Sequence, residues 1–298
     1  MLRTRVSCPI SRRAALRRFL AAAPVLVSWR AWAALNEGVD VELERLEARH
    51  GGRLGVAALD TASGTTTRRR ADERFAMCST FKLLAAALVL ARVDRGEEQL
   101  DRRIPLAAAD LVPHSPVTEK HVGPQGMTLA KLCEAALTVS DNAAANALLA
   151  SFGGPPALTS YARSLGDTVT RLDRAEPDLN EATPGDPRDT TTPAAMLGNL
   201  HRLVLGDALA PGSRARLTSW LAANTTGSAR IRAGLPKDWR VGDKTGSGNH
   251  AVANDVAVAW PPGRAPLLLS VYYAESSASA DQRNAVIAEA ARIVAARR

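Results

Sequence analysis

Strand-like alternation occurs near both ends of this chain and is missing from its middle, which limits the folds open to it. Arg53–Asp60 (RLGVAALD) reads as a strand, Thr61-Ala62-Ser63-Gly64 as a turn and Thr65–Arg70 as a polar return strand. Far downstream, Trp239–Thr245, Ala251–Trp260 and Pro266–Ala274 alternate like three antiparallel strands. Between them, from Ala71 to about Leu221, the pattern is helical. A single sheet can hold all five strands only if the chain ends meet and the helical block is inserted between them. The expected fold is therefore α+β: an antiparallel five-stranded sheet flanked by N- and C-terminal helices, plus an inserted all-α domain.

The terminal helices are expected at Asn36–His50, with Val39, Leu43 and Leu46 in phase before Gly51-Gly52, and at Ala280–Arg298, with Val286, Ile287, Ala290 and Ile293 on one face. In the middle, Phe81–Arg95 reads as a strongly amphipathic helix closed by Gly96. Thr128–Thr138 and Pro193–Leu205 read as helices too, as does Asn142–Ser151, which ends at Gly153-Gly154-Pro155-Pro156. Leu172–Thr192 is long, rich in Pro, Asp and Thr, and not periodic; an irregular stretch of that length inside a folded unit is usually functional. The division that follows is an α/β domain from residues 34–70 and 222–298, and an all-α domain from 71–221 that contains the loop 172–192. The Arg68-Arg69-Arg70 run reads as a solvated edge strand.

Net charge is +8 with a pI near 10.0, a balance that suits a nucleic-acid binder. Its distribution argues otherwise. Seven of the 38 basic residues are arginines within residues 1–33, which hold no acid, so the remaining 31 face 30 acidic residues. Aromatic residues are too few, at 4%, for a base-stacking platform. The arginine-rich segment reads as an export signal: a basic stretch to Arg18, an apolar run Phe19–Val27, and a small-x-small cleavage site at Ala31-Trp32-Ala33. Ser11-Arg12-Arg13 followed by Leu16 resembles a twin-arginine signal, with Ala15 at the usual aromatic position; an ordinary Sec leader stays open. Nothing approaches the roughly 20 apolar residues of a membrane span. The mature chain is expected to start near Ala34, to be exported to the periplasm, and to have neither nucleic acid nor a stable membrane association as partner. Cys78 and Cys133 are expected to be buried free thiols.

Three short motifs carry chemistry. Ser79-Thr80-Phe81-Lys82 opens the Phe81 helix, and a spacing of three puts the hydroxyl and the amine on one face. A serine hydroxyl is a poor nucleophile until a base takes its proton, which a desolvated lysine can do, and a helix N-terminus favours developing negative charge. Lysine is scarce in this chain, five against 33 arginines, so a lysine kept at such a position points to a need for a titratable amine. Ser140-Asp141-Asn142 sits between two helices and offers a second hydroxyl and an amide. Lys244-Thr245-Gly246, followed by Ser247-Gly248, ends a strand and suits an anionic substrate lying along its edge. The five histidines are scattered, no Gly-x-Ser-x-Gly is present, and no Walker or dinucleotide motif occurs, so neither a metal nor a cofactor is expected.

In this order, 61 and 104 residues apart, the three motifs have a random expectation on the order of 0.001 or less. The set resembles the serine β-lactamase and penicillin-binding protein superfamily. Arg174-Ala175-Glu176-Pro177-Asp178-Leu179-Asn180, closing with Asp189, looks like the omega loop of class A β-lactamases, and the resemblance covers nearly all of residues 36–298. It implies hydrolysis of penicillins and cephalosporins through an acyl-enzyme on Ser79, and with it resistance to these drugs. Lys82 and Glu176 would share the proton chemistry, with the acylation base left open between them, and Ser140 would protonate the departing nitrogen. The backbone N–H groups of Ser79 and Ser247 would form the oxyanion hole. Asn180 would join Glu176 in holding the attacking water, and Asn142 would bind the substrate's side-chain amide. Lys244, Thr245, Ser247 and Arg230 would bind its carboxylate, and His114 takes the place of an aromatic gatekeeper. Arg174 and Asp189 would clamp the loop, with the Glu176–Pro177 bond cis. Gly248 stands where carbapenem-hydrolysing relatives carry a cysteine that pairs with the equivalent of Cys78, so no disulfide and no carbapenem turnover are expected. The same resemblance implies a monomer acting on a small-molecule β-lactam. The alternatives are a D,D-peptidase or a penicillin-binding sensor, which acylate without efficient turnover.

Overall fold

The computed structural model of the protein describes Leu2 and residues 28–297, so the segment read as an export signal lies largely outside the described residues. Helix α1 (Ser28–His50) leads into strands β1 (Arg53–Asp60) and β2 (Thr66–Arg69). The middle of the chain carries β3 (Phe75–Ala76), α2 (Phe81–Asp94), β4 (Arg103–Leu106), β5 (Gly123–Thr128), α3 (Leu129–Thr138), α4 (Asn142–Phe152) and α5 (Gly154–Ser164). After an irregular loop come β6 (Thr190–Thr191), α6 (Pro193–Val204), α7 (Pro211–Ala222) and the short α8 (Ile231–Gly234). Strands β7 (Arg240–Ser247), β8 (Ala253–Trp260) and β9 (Leu267–Ala274) precede the last helix, α9 (Ala280–Ala295).

Strands β1, β2, β7, β8 and β9 form one antiparallel sheet in the order β2-β1-β9-β8-β7. The two chain ends therefore meet in a single sheet, as their alternation demands. β8 and β9 are buried on both faces, and successive residues serve different cores. Ala257, Ala259, Leu267, Leu269 and Val271 pack against Leu43 and Leu46 of α1 and Val286 and Ile287 of α9. Val256, Val258, Leu268 and Tyr272 face the helical layer. Each fully buried leucine contributes about 1.5–3 kcal/mol relative to exposure, so both faces are held mainly by apolar burial. β2 lies at the sheet edge, as expected for the arginine run, but Arg69 and Arg70 turn onto Glu47 of α1 at 3.2 and 2.7 Å.

The helical block differs from its sequence reading in three ways. α2 is expected to be amphipathic, yet every residue from Phe81 to Ala91 is buried, because α3, α4, α5 and α7 surround it. Gly153-Gly154-Pro155-Pro156 ends α4 but also begins α5. Gly153 takes φ 102° as a left-handed cap, and the prolines occupy the first helical positions, where a missing N–H costs nothing. The block is not all-α: β3 pairs with β6, and β4 with β5, in two small antiparallel sheets. Both tie loops together, a role set by tertiary contact rather than by any periodic signal.

Candidate active site

The nucleophile candidate sits where the helical layer meets β7. Cys78–Thr80 form a single 3₁₀ turn that runs directly into α2, and Cys78 adopts φ 45°, a left-handed conformation that is strained for a non-glycine residue. Gly246 lets β7 lie against this turn, since a Cβ there would stand 2.7 Å from the Met77 carbonyl oxygen. The Ser79 hydroxyl donates to Glu176 Oε1 at 3.2 Å, and the Lys82 ammonium lies 3.0 Å from the same oxygen. Serine and lysine are thus joined through the carboxylate.

Lys82 is fully buried and also donates to Ser140 O at 2.8 Å, Ser140 Oγ at 3.3 Å and Asn142 Oδ1 at 2.6 Å. Burial pushes its amine pKa down, and the Glu176 carboxylate opposes that shift. Lys244, also fully buried, donates to Ser140 Oγ at 3.1 Å and to Thr245 O at 2.9 Å. Its pKa is lowered to about 7, first by burial and then by the charge on Lys82. The Ser140 hydroxyl therefore lies between two desolvated amines. Ser140 itself has φ 61°, and the loop is fixed by Asp141, whose carboxylate accepts from the N–H groups of Val117, Thr118 and Ala144 and from the Thr118 hydroxyl. Asn142 donates to Pro113 O at 2.8 Å.

Glu176 comes from the irregular loop. Its backbone is gripped on both sides by Asn146 of α4, which accepts from Glu176 N and donates to Glu176 O, both at 2.9 Å. Asn180 donates to Glu176 Oε2 at 2.5 Å, while its own Oδ1 is buried without a protein partner. The Glu176–Pro177 peptide is cis. Arg174 pairs with Asp189 at 2.6 Å and with Glu181, and Asp189 accepts from the N–H groups of Asp173 and Arg174. The β7–β8 turn seats on the loop through Asn249 N donating to Asn180 O at 3.0 Å.

The cationic end is built on β7. Arg230, immediately before α8, donates to Gly246 O, Asn254 O and Ser247 Oγ, each at 2.7 Å, and to Asn284 Oδ1 of α9 at 2.9 Å. The Thr245 hydroxyl bonds to that of Thr226. Ser79, Ser140, Asn142, Asn180, Arg230, Thr245 and Ser247 line one cleft of about 370 Å³, with His114 at its rim, the His114 ring tied to Val139 O at 2.9 Å. A groove of about 670 Å³ continues from it along Pro177, Asp178 and Glu181. Of the site residues read from sequence, Ser79, Lys82, Ser140, Asn142, Glu176, Asn180 and Lys244 are joined by hydrogen bonds or ion pairs around one point. Thr245, Ser247, Arg230 and His114 flank it, and Arg174, Asp189 and Pro177 lie behind it in the loop. Cys78 and Cys133 are buried free thiols. Among the described residues no cluster of His, Cys, Asp or Glu side chains is arranged to hold a metal ion.

Sequence reasoning missed Asn146, Thr226 and the structural part played by Asp141. Asn146 had a usable signal, because it falls four residues after Asn142 on the same face of α4. Thr226 had none.

The sequence model of the Beta-lactamase enzyme family matches residues 38–297. Beta-lactamase Toho-1 of Escherichia coli is 52% identical over 275 residues, 92% of this chain and 94% of that protein. Beta-lactamase OXY-2 of Klebsiella oxytoca is 50% identical over 274 residues, again 92% and 94%. Among solved structures, an ancestral class A β-lactamase superposes with a TM-score of 0.84 at 65% identity, covering 86% of this chain and 98% of that one. The putative class A β-lactamase PenP from Rhodopseudomonas palustris gives 0.85 at 61% identity, covering 87% and 99%.

Proposed function

The chain belongs to the β-lactamase enzyme family, in its class A branch, and on that premise we propose how its cleft opens the β-lactam amide of penicillins and cephalosporins, conferring resistance to them. Ser79 Oγ attacks the lactam carbonyl carbon, and its proton passes to the pair formed by Glu176 and Lys82. The charge that develops on the carbonyl oxygen is met by the N–H groups of Ser79 and Ser247. The C–N bond breaks, and the nitrogen takes its proton from the Ser140 hydroxyl, which the two lysines can resupply. In the second half, Glu176 removes a proton from a water held between it and Asn180 Oδ1. The resulting hydroxide attacks the acyl carbon, and Ser79 leaves with a proton.

Lys244, Thr245, Ser247 and Arg230 bind the substrate carboxylate. Asn142 meets its side-chain amide, and His114 closes the rim. Arg174, Asp189 and Pro177 keep the loop in the shape that presents Glu176. Export and domain organisation belong to the same proposal. Residues 1–33 direct export and are removed near Ala33-Ala34. The mature protein acts as a periplasmic monomer, folded as an α/β unit from residues 34–70 and 222–298 and a helical unit from 71–221. Among the described residues no helix is long and apolar enough to cross a membrane.

One observation carries hydrolysis over mere trapping: a buried carboxylate, Glu176, stands 3.2 Å from the nucleophile and is held by Asn180 and Asn146. A D,D-peptidase or a sensor has no use for it. The test mixes residues 34–298 with a chromogenic cephalosporin and counts turnovers. Many turnovers per enzyme are expected, and a single stoichiometric burst would sink the hydrolase reading. Glu176→Ala is expected to accumulate acyl-enzyme by mass spectrometry; a variant that deacylates at the original rate would show that Glu176 does not activate the deacylating water.

A further inference from the structure

The oxyanion hole needs two N–H groups from different layers, one on the Cys78–Thr80 turn and one at the end of β7, to point at a single oxygen. Asn254 of β8 touches both layers. It lies opposite Gly246 in the strand register and is fully buried. Its side-chain amide donates to Ala76 O at 2.9 Å and to Met77 O at 3.1 Å, the two carbonyls that lead into the nucleophile turn. Its backbone oxygen accepts from the Arg230 guanidinium group that also holds Gly246 O. A Cβ on Gly246 would stand 3.3 Å from Asn254 Nδ2, so side chain, turn and strand are in direct contact.

Stability alone does not explain this amide. It satisfies Ala76 O, yet its own Oδ1 is buried without a partner, an orphaned oxygen that an apolar side chain of the same size would not bring. Nor does Met77 O depend on it, because the Thr80 hydroxyl and the Thr80 N–H also donate there, at 2.8 and 3.2 Å. What the amide adds is direction. The turn contains a non-glycine residue at φ 45°, a conformation that persists only where surrounding groups enforce it. We propose that Asn254 is a positioning residue for the oxyanion hole, pinning the nucleophile turn to the β7 edge so that the Ser79 and Ser247 N–H groups converge. This rests on the assignment of those two groups as the hole.

The test compares the unmutated enzyme with Asn254→Ala and with Asn254→Leu, which fills the volume and removes the orphaned oxygen together with the donors. Active sites are counted by titration, and all rates are expressed per active site. Three quantities are read: the acylation rate with a chromogenic cephalosporin, the affinity for a boronic acid whose tetrahedral adduct on Ser79 puts an oxygen in the hole, and the affinity for a hydrolysed penicillin. Acylation and boronate affinity are expected to fall by roughly 10- to 100-fold, the scale of a small misplacement at a reacting centre. Affinity for the hydrolysed penicillin should hold within about 2-fold, because Arg230 at the carboxylate end is held by the Asn254 backbone oxygen, which both variants keep. If the alanine variant does not fold, the leucine variant gives the same comparison. Unchanged acylation and boronate affinity per active site, with loss confined to melting temperature or active fraction, would overturn the proposal. So would an equal fall in all three quantities. Failure of the unmutated enzyme to turn over would instead strike the hydrolase assignment.

Discussion

The Lys244 amine sits in a fully buried position where burial, then the neighbouring charge of Lys82, work against its own charge. Asp243 and Asp255 oppose that trend and Arg230 adds to it, and the balance brings the pKa to about 7. The cation is the form that binds a substrate carboxylate. As pH rises through about 7 the free enzyme loses that cation, so kcat/KM should fall on the alkaline side. Bound substrate brings its own negative charge and raises the pKa, so kcat should hold to higher pH. Lys244→Arg keeps the charge at all working pH values, and the alkaline limb of kcat/KM is expected to move upward. A limb that stays near 7 in the arginine variant would assign it to another group, with Lys82 the neighbour whose pKa is also depressed. The scarcity of lysine in the sequence had already marked these two amines. It could not show that both converge on the Ser140 hydroxyl, which depends on where α2 and β7 meet.

The irregular loop 172–192 works as an element because fixed neighbours grip it at several points. Asn146 holds the Glu176 backbone, Asp189 O accepts from Met77 N at 2.9 Å, and Asn249 N donates to Asn180 O. Asn146→Ala removes both bonds to Glu176 while leaving Ser79, Lys82 and Ser140 in place. Deacylation is expected to slow by about 10-fold or more, with a smaller effect on acylation, since the water is deprotonated by Glu176 while the Ser79 proton can also draw on Lys82. The stability cost should be about 1–3 kcal/mol for two lost part-buried hydrogen bonds. The check is the steady-state fraction of acyl-enzyme by mass spectrometry, which should rise; a fraction equal to that of the unmutated enzyme would deny Asn146 this role. The loop was legible as a long non-periodic stretch, and α3, α4 and α6 by their period and caps. The start of α5 was hidden because Gly153-Gly154-Pro155-Pro156 reads as punctuation, although proline suits a first helical turn as well as a break. α2 misled in the other direction. Its apolar residues run all the way round it, from Phe81 to Ala91 with only Lys82 polar, a pattern that marks a buried helix rather than an amphipathic one, and four packed neighbours cover it.

At the scale of the molecule, the alternation at both chain ends was sufficient to foresee a sheet that closes across a helical insert, because strands must find partners. Buried charge beneath that sheet was not legible, since aspartates at alternate strand positions normally mark a solvent face. Asp255 of β8 is fully buried, with Oδ2 accepting from Ile231 N at 3.0 Å and Oδ1 unpartnered. Burial, and then the nearby Asp243 carboxylate, raise its pKa well above the ordinary 3.8. Asp243 has its own partners in Arg232 and Asn224. Between pH 3.8 and the raised value the native chain binds more protons than the unfolded one, so the Asp255 contribution to stability falls as pH rises across that window. Asp255→Asn does not titrate and keeps an oxygen for Ile231 N. Its stability, and with it the melting temperature, should match that of the unmutated protein near or below pH 3.8 and exceed it increasingly at higher pH, the stability gap reaching about 1–3 kcal/mol once the carboxyl would be ionised. For a domain of this size that is roughly 2–4 °C per kcal/mol. Melting curves of both proteins across pH 4 to 8 decide the matter: a gap that closes with rising pH, or an asparagine variant that is less stable throughout, would show that the carboxylate has a stabilising partner in the native state.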